Sequence, residues 1–208
     1  MLALGSIRQW KRRETIFRAG DPIGSFFKIR KGMVAVSRAL DDGRRQIIAI
    51  RMPGDCVGYV DTAGAYAFEG EALTDVETCG FDRHKFDAFA AQHPDLAAAL
   101  AETLSDALKQ TGEAMLVLGQ LSSTERVAHF LAEIDALYRE RHVSVKPLSL
   151  HMGRGDIADY LGLTIETVSR SIGKLKKRGV IGLVGSDEVM IFDYDRLRSI
   201  GKVQKATL

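Results

Sequence analysis

The residues with the clearest chemical purpose are Glu166, Ser169 and Arg170, in the run GRGDIADYLGLTIETVSRSIGKLKKRG from Gly153 to Gly179. At helical spacing they point away from an apolar row formed by Val168, Ile172 and Leu175. An arginine so placed can donate two parallel hydrogen bonds to O6 and N7 of guanine, and a glutamate can accept from N4 of cytosine. The same Glu166 and Arg170 are also spaced for a surface i, i+4 ion pair contributing about 0.3 to 0.5 kcal/mol, so residue types alone leave both readings open. Ile165 lies at the edge of the apolar sector and fits either the readout or the core.

Two helices and a turn must hold these side chains. Ile157, Ala158 and Leu161 share one face of a first helix, Gly162 makes the turn, and Leu163 tucks beneath it. Thr164 is a good N-cap for the second helix. Lys174, Lys176, Lys177 and Arg178 supply the positive charge that a helix C-terminus favours, and Gly179 ends it. This is a helix-turn-helix pattern, with Glu166, Ser169 and Arg170 near the end of the second helix that enters the major groove in such motifs. Arg154, where the first helix crosses the DNA backbone, is an expected backbone contact, together with Thr164, Thr167 and Lys174.

The run DIADYLGLTIETVSR closely resembles the recognition segment of the Crp/Fnr transcription regulators, in particular the Fnr and FixK branch. Turn, cap and base-facing positions match together, and weaker motifs extend the resemblance over essentially the whole chain. It implies that Glu166, Ser169 and Arg170 read an inverted repeat of the type TTGAT, four spacer bases, ATCAA. The cyclic AMP receptor branch has an arginine where this chain has Ile165, a departure that points to the Fnr-type half-site. Gly153 replaces the usual Ser or Thr N-cap, and Gly155 costs the first helix about 1 kcal/mol, so that helix is expected to be loose without DNA. The resemblance further implies a homodimer and an activator, with RNA polymerase meeting the loop matching Asp61 to Gly70 and the connection matching Arg139 to Pro147.

The 208 residues, 46% hydrophobic and 27% charged, suit a globular chain of two domains. No apolar run has signal-peptide or membrane-span length, which leads us to expect a cytoplasmic protein. Residues 143 to 208 hold 11 Lys plus Arg against 7 Asp plus Glu, a net +4, whereas residues 1 to 142 hold 18 against 20, a net −2. The basic excess therefore coincides with the helix-turn-helix, as phosphate contact requires, although a solvated basic surface would look similar.

Turn signals at Ala19-Gly20-Asp21, Lys31-Gly32, Asp42-Gly43 and Pro53-Gly54-Asp55 punctuate residues 13 to 82. Between them Phe26 to Ile29, Met33 to Val36 and Gln46 to Ile50 are rich in strand-forming residues, so the segment reads as a jelly roll. The resemblance implies the cyclic-nucleotide-binding type of double-stranded barrel. Met52 to Asp82 contains no Lys or Arg but carries Asp55, Asp61, Glu69, Glu71, Asp75, Glu77 and Asp82. The arginine that holds the phosphate in cyclic AMP binders falls at or near Tyr66. Such a segment repels a phosphate unless a cation reaches in from elsewhere.

Cys56 and Cys79 cannot supply a four-cysteine iron–sulfur cluster within one chain. Cys79, in ETCGF, resembles the internal cluster ligand of Fnr proteins, but the three clustered N-terminal cysteines are absent, so both read as small buried hydrophobes in strands. The family usually has a helix ahead of the segment matching Ile7 to Gly20, which leaves open further residues before Met1. His84, His93, His129, His142 and His151 lack metal-ligand spacing, and no cofactor is expected. An effector-dependent sensor, whose barrel binds haem or another small ligand before DNA binding, is the alternative. Nucleophile-elbow and Walker motifs are lacking, which argues against an enzyme.

Along Asp95 to Leu121, Ala97, Ala101, Leu104, Leu108, Thr111, Met115 and Leu118 repeat by threes and fours as the seam of a two-stranded coiled coil. A helix lying on its own barrel would explain the same leucines; the resemblance favours dimerisation. Gly112 and Gly119 each weaken this helix by about 1 kcal/mol. Ser122-Ser123-Thr124-Glu125 is a capping box, and Val127, Phe130, Leu131, Ile134 and Leu137 mark the apolar face of the helix it starts. Val180 to Val184 and Glu188 to Phe192 flank Gly185-Ser186-Asp187 as a hairpin wing, and a short helix follows Asp193. The expected architecture is α+β: a cyclic-nucleotide-binding-like jelly roll (1–93), a dimerisation helix (94–121) and a winged helix-turn-helix (122–208), with a hinge at Gly119 to Ser123.

Overall fold

The structure is a computed structural model describing residues 5–59, 64–141, 146–185 and 187–202. Asp61, His142 and Ser186 lie outside the described residues, and with them parts of both segments expected to meet RNA polymerase. The chain divides into two compact units, Met1–Gly112 and Glu113–Leu208, the division falling ahead of the expected hinge.

The first unit is the jelly roll. Its eight strands are β1 (Gly5–Trp10), β2 (Thr15–Phe17), β3 (Ser25–Lys31), β4 (Val34–Ala39), β5 (Arg45–Arg51), β6 (Cys56–Val57), β7 (Glu69–Ala72) and β8 (Val76–Asp82). They form two antiparallel four-stranded sheets, ordered β1-β8-β3-β6 and β2-β7-β4-β5. Alternation drives this arrangement, since Phe27, Ile29, Val34, Val57, Ala72 and Val76 turn inward from short strands of both sheets. The turn at Gly32 has φ +89°, and a Cβ there would run into the Asp75 carbonyl oxygen, so glycine is required.

The barrel is filled by its own aromatic side chains. Phe17 stacks on Phe27 with ring centroids 6.2 Å apart and packs on Tyr66 at 4.8 Å. Gly70 leaves room for the Phe17 ring, which a Cβ would strike. Tyr66 is only 6% exposed, and its hydroxyl donates to the Ser25 carbonyl. Cations that reach this segment from elsewhere meet its carboxylates: Arg13 and Arg45 bond Glu71 at 2.8 and 2.7 Å, Arg30 bonds Glu77 at 3.1 Å and Lys11 bonds Asp75 at 3.3 Å. Glu69 accepts from the buried Ser37 hydroxyl at 3.0 Å. An aromatic filling edged by carboxylates does not fit a cyclic phosphate.

The cysteines differ from expectation in one respect. Cys79 is buried but Cys56 is exposed, because it sits on the two-residue edge strand β6. Lys28 faces Cys56 on one side and Cys79 on the other, so two strand spacings, about 9 to 10 Å, separate the thiols. That is too far for a disulfide.

Helix α1 (Arg83–Ala90) was not apparent from sequence periodicity. Asp82 caps it by accepting the Lys85 N–H at 2.9 Å, and Phe86 packs edge-on against Phe26 at 4.7 Å. Helix α2 (Pro94–Gln120) follows, 27 residues long with none buried. Leu96 and Leu100 near its start pack against the cluster of Phe26, Phe81 and Phe86, whereas Leu104, Leu108 and Met115 are 43%, 74% and 70% exposed. Among the described residues no helix is long and apolar enough to cross a membrane.

The second unit is built on α3 (Ser123–Glu140). Glu125 closes its capping box by accepting the Ser122 N–H at 2.9 Å. Val127, Phe130, Leu131 and Ile134 are buried as expected, Leu137 is half-buried, and Ala128, Ala132 and Tyr138 complete the face. Around it lie β9 (Leu148–Ser149), α4 (Arg154–Leu161), α5 (Ile165–Lys177), β10 (Ile181–Leu183), β11 (Glu188–Ile191) and α6 (Tyr194–Ile200). The wing is three-stranded, ordered β10-β11-β9, because β9 pairs with β11 through Val189 and Leu148. Phe130 is fully buried, so Phe130→Ala is expected to destabilise this unit by about 3 to 5 kcal/mol, read by urea unfolding; a loss under 1 kcal/mol would contradict this packing.

Candidate nucleic-acid interface

The recognition surface begins with what α5 must bury. Val168, Ser171, Ile172 and Leu175 turn inward, leaving Ile165, Glu166, Ser169, Arg170 and Lys174 exposed along the other side. Ile165 is 51% exposed and joins the exposed row rather than the core. The turn that aims this helix depends on Gly162, the C-cap of α4, whose left-handed φ of 60° suits glycine. Leu163 donates its N–H to the Ala158 carbonyl at 3.0 Å, and Thr164 caps α5 by accepting the Thr167 N–H at 3.2 Å.

Helix α4 starts more firmly than its two glycines suggest. Asp156, itself buried, accepts the Gly153 N–H at 3.0 Å and replaces part of the missing Ser or Thr cap. Tyr160 donates its hydroxyl to the Glu133 carboxylate at 2.9 Å and so ties α4 to α3. Arg126, from the first turn of α3, binds three carbonyl oxygens left over at helix ends. Its guanidinium donates to Leu118 at 2.5 Å, to Leu121 at 2.9 Å and to Leu161 at 3.0 Å. One cation thus caps both the end of α2 and the end of α4, a role sequence periodicity gave no way to anticipate.

The exposed charges do not form the surface ion pair that their spacing allows. Arg170 donates through Nη2 to the Thr167 hydroxyl at 3.1 Å, and among the described residues no ion pair joins it to Glu166. Bonds from its own N–H and the Thr164 hydroxyl, aided by the more distant Arg170 charge, hold the Glu166 carboxyl below its usual range. Glu166 is therefore an anion, able to accept but not donate, throughout the neutral range. Lys174, Lys176 and Lys177 crowd the last turn of α5.

Arg154 occupies a different environment from its expected backbone-contact partners. It is half-buried at the start of α4, and among the described residues its enclosed Nη1 meets no acceptor. Burial lowers its pKa, while the Asp187 charge on the wing opposes that shift. Thr164 and Lys174 are exposed and Thr167 is half-exposed.

Residues 7–93 match the cyclic nucleotide-binding domain family, and residues 125–200 match the Crp-like helix-turn-helix domain family. The chain is 37% identical over 185 residues to the nitrogen fixation regulation protein FixK of Bradyrhizobium diazoefficiens, an alignment covering 87% of this chain and 76% of that protein. The chain belongs to the Crp/Fnr family of transcription regulators. Within that family it is also 34% identical over 188 residues to the transcriptional activator protein Anr of Pseudomonas aeruginosa, covering 89% of this chain and 76% of that protein. The structure of FixK2 from Bradyrhizobium japonicum superposes with a TM-score of 0.86 at 30% identity, over 97% of this chain and 99% of that one. This Crp/Fnr protein is accordingly a transcription regulator with a DNA-binding helix-turn-helix domain, and not an enzyme.

Replacing Arg126 by Met keeps the apolar stem and removes all three carbonyl bonds. Arg126→Met is expected to destabilise the Glu113–Leu208 unit by about 1.5 to 3 kcal/mol and to speed hydrogen exchange at the end of α4. Unchanged exchange there would mean that the guanidinium does not hold α4.

Proposed function

We propose that the chain acts as a cytoplasmic homodimeric activator that reads an inverted repeat of the type TTGAT, four spacer bases, ATCAA. The observation carrying this reading is the exposed row Glu166, Ser169 and Arg170 on a helix whose opposite face is buried. Arg170 would bind guanine, Glu166 would accept from cytosine, and Ser169 and Ile165 would complete the base-facing surface. Thr164, Thr167 and Lys174 border that row at positions suited to phosphate contact. Arg154, whose enclosed Nη1 meets no acceptor among the described residues, would take a phosphate.

Palindromic DNA requires a two-fold partner, and α2 supplies the surface for one. Leu104, Leu108 and Met115 form an exposed apolar stripe, continued by Leu118. Thr111 can sit in that seam because its hydroxyl donates to the Ala107 carbonyl at 2.8 Å, leaving no unsatisfied donor. Activation is supported by the description of the Pseudomonas aeruginosa relative as a transcriptional activator, and contact with RNA polymerase would be its route. The aromatic filling around Tyr66 supports DNA binding that requires no cyclic nucleotide.

Arg170→Ala is expected to cost about 1 to 3 kcal/mol of binding to the palindrome and much less to a scrambled duplex, measured by fluorescence anisotropy. Equal losses on both duplexes would defeat the base-reading role. Leu108→Glu places a charge in the proposed seam, and sedimentation equilibrium should then show a monomer. An intact dimer would place the interface elsewhere.

A further inference from the structure

Arg170, proposed to read a base, is held by hydroxyls from the start of its own helix. Arg170 Nη2 donates to Thr167 Oγ1 at 3.1 Å, and Thr167 Oγ1 lies 3.1 Å from Thr164 Oγ1. Thr164 Oγ1 also accepts the Thr167 N–H at 3.2 Å, so the Thr167 side chain is held at the helix cap. Whichever of the two hydroxyls donates, Thr167 Oγ1 keeps a lone pair for the guanidinium.

We propose that Thr167 is the positioning residue for Arg170: its hydroxyl, itself set by contact with Thr164, fixes the guanidinium for base contact. This rests on the reading of Arg170 as a base contact and gives Thr167 a role distinct from meeting a phosphate. A direct Glu166–Arg170 bridge would satisfy two of the guanidinium N–H groups with a carboxylate. The Thr167 hydroxyl uses one, and among the described residues the others meet no acceptor, so they are free for guanine O6 and N7. Holding a long side chain in place before binding also removes rotamer entropy that association would otherwise cost.

Thr167→Val keeps the side-chain shape and removes the hydroxyl, while Thr167→Ser keeps the hydroxyl. The test compares the ratio of affinities for the TTGAT palindrome and a guanine-substituted duplex, by anisotropy, in wild type, T167V, T167S, R170A and T167V/R170A. Circular dichroism checks that each variant is folded. Thr167→Val should lower the ratio by about tenfold, and Thr167→Ser should hold it within about twofold of wild type. In the R170A background, Thr167→Val should leave the ratio unchanged, because no guanidinium remains to be positioned. A wild-type ratio in Thr167→Val, with or without an equal loss of affinity on both duplexes, would overturn the positioning role and leave Thr167 as a backbone contact at most. Should R170A itself keep the wild-type ratio, the base-reading assignment of Arg170 fails, and the positioning role with it.

Discussion

Burial of Val168, Ile172 and Leu175 is the constraint on which the recognition surface depends. A 13-residue helix with one side sealed against its neighbours has a single side left to offer, and that side carries Ile165, Glu166, Ser169 and Arg170. Rotating α5 to hide the charged row would bury Glu166 and Arg170 and expose three aliphatic side chains, each worth about 1.5 to 3 kcal/mol when buried. The orientation of the polar groups is thus set by the hydrophobic effect acting on the opposite side of the helix. Hydrogen bonds among Thr164, Thr167 and Arg170 refine the orientation within that limit.

Two further features extend the constraint outward. Gly162 and the Thr164 cap fix the angle between α4 and α5, and Arg126 ties the last carbonyl of α4 to the last carbonyls of α2. The helix proposed to carry the dimer seam and the first helix of the DNA-binding motif therefore share one guanidinium.

Much of this was legible in the sequence because local rules and tertiary demands agree. Glycine at the turn, threonine at the cap and apolar residues at helical spacing all favour the same helix-turn-helix, and the turn residues of the barrel fall between its strands. Other features were not legible for definite physical reasons. Arg126 acts through backbone carbonyls distant in sequence, which leave no residue-type signature. Helix α1 is short and buries one aromatic, too little to raise a periodic signal. Exposure of Cys56 follows from its edge strand, and β9 is two residues long and is recognised by its partner alone. The ion pair that spacing allows between Glu166 and Arg170 is absent among the described residues because Arg170 donates to the Thr167 hydroxyl instead, a choice that residue types at helical spacing do not show. The half-filled cap at Gly153 was offset by Asp156, a residue that helical periodicity places without indicating what it bonds.

On the proposed reading, a fixed row of side chains on α5 reads guanine and its paired cytosine without a bound effector in the barrel. The most direct measurement is anisotropy of a labelled duplex carrying TTGAT, four spacer bases and ATCAA, titrated with the purified protein and no added ligand, beside the same duplex with its guanines substituted. Tight binding of the first duplex is expected, with a loss of about 1 to 3 kcal/mol for each substituted position, unaffected by thiol oxidation. Equal affinity for the two duplexes from a folded dimer would contradict it.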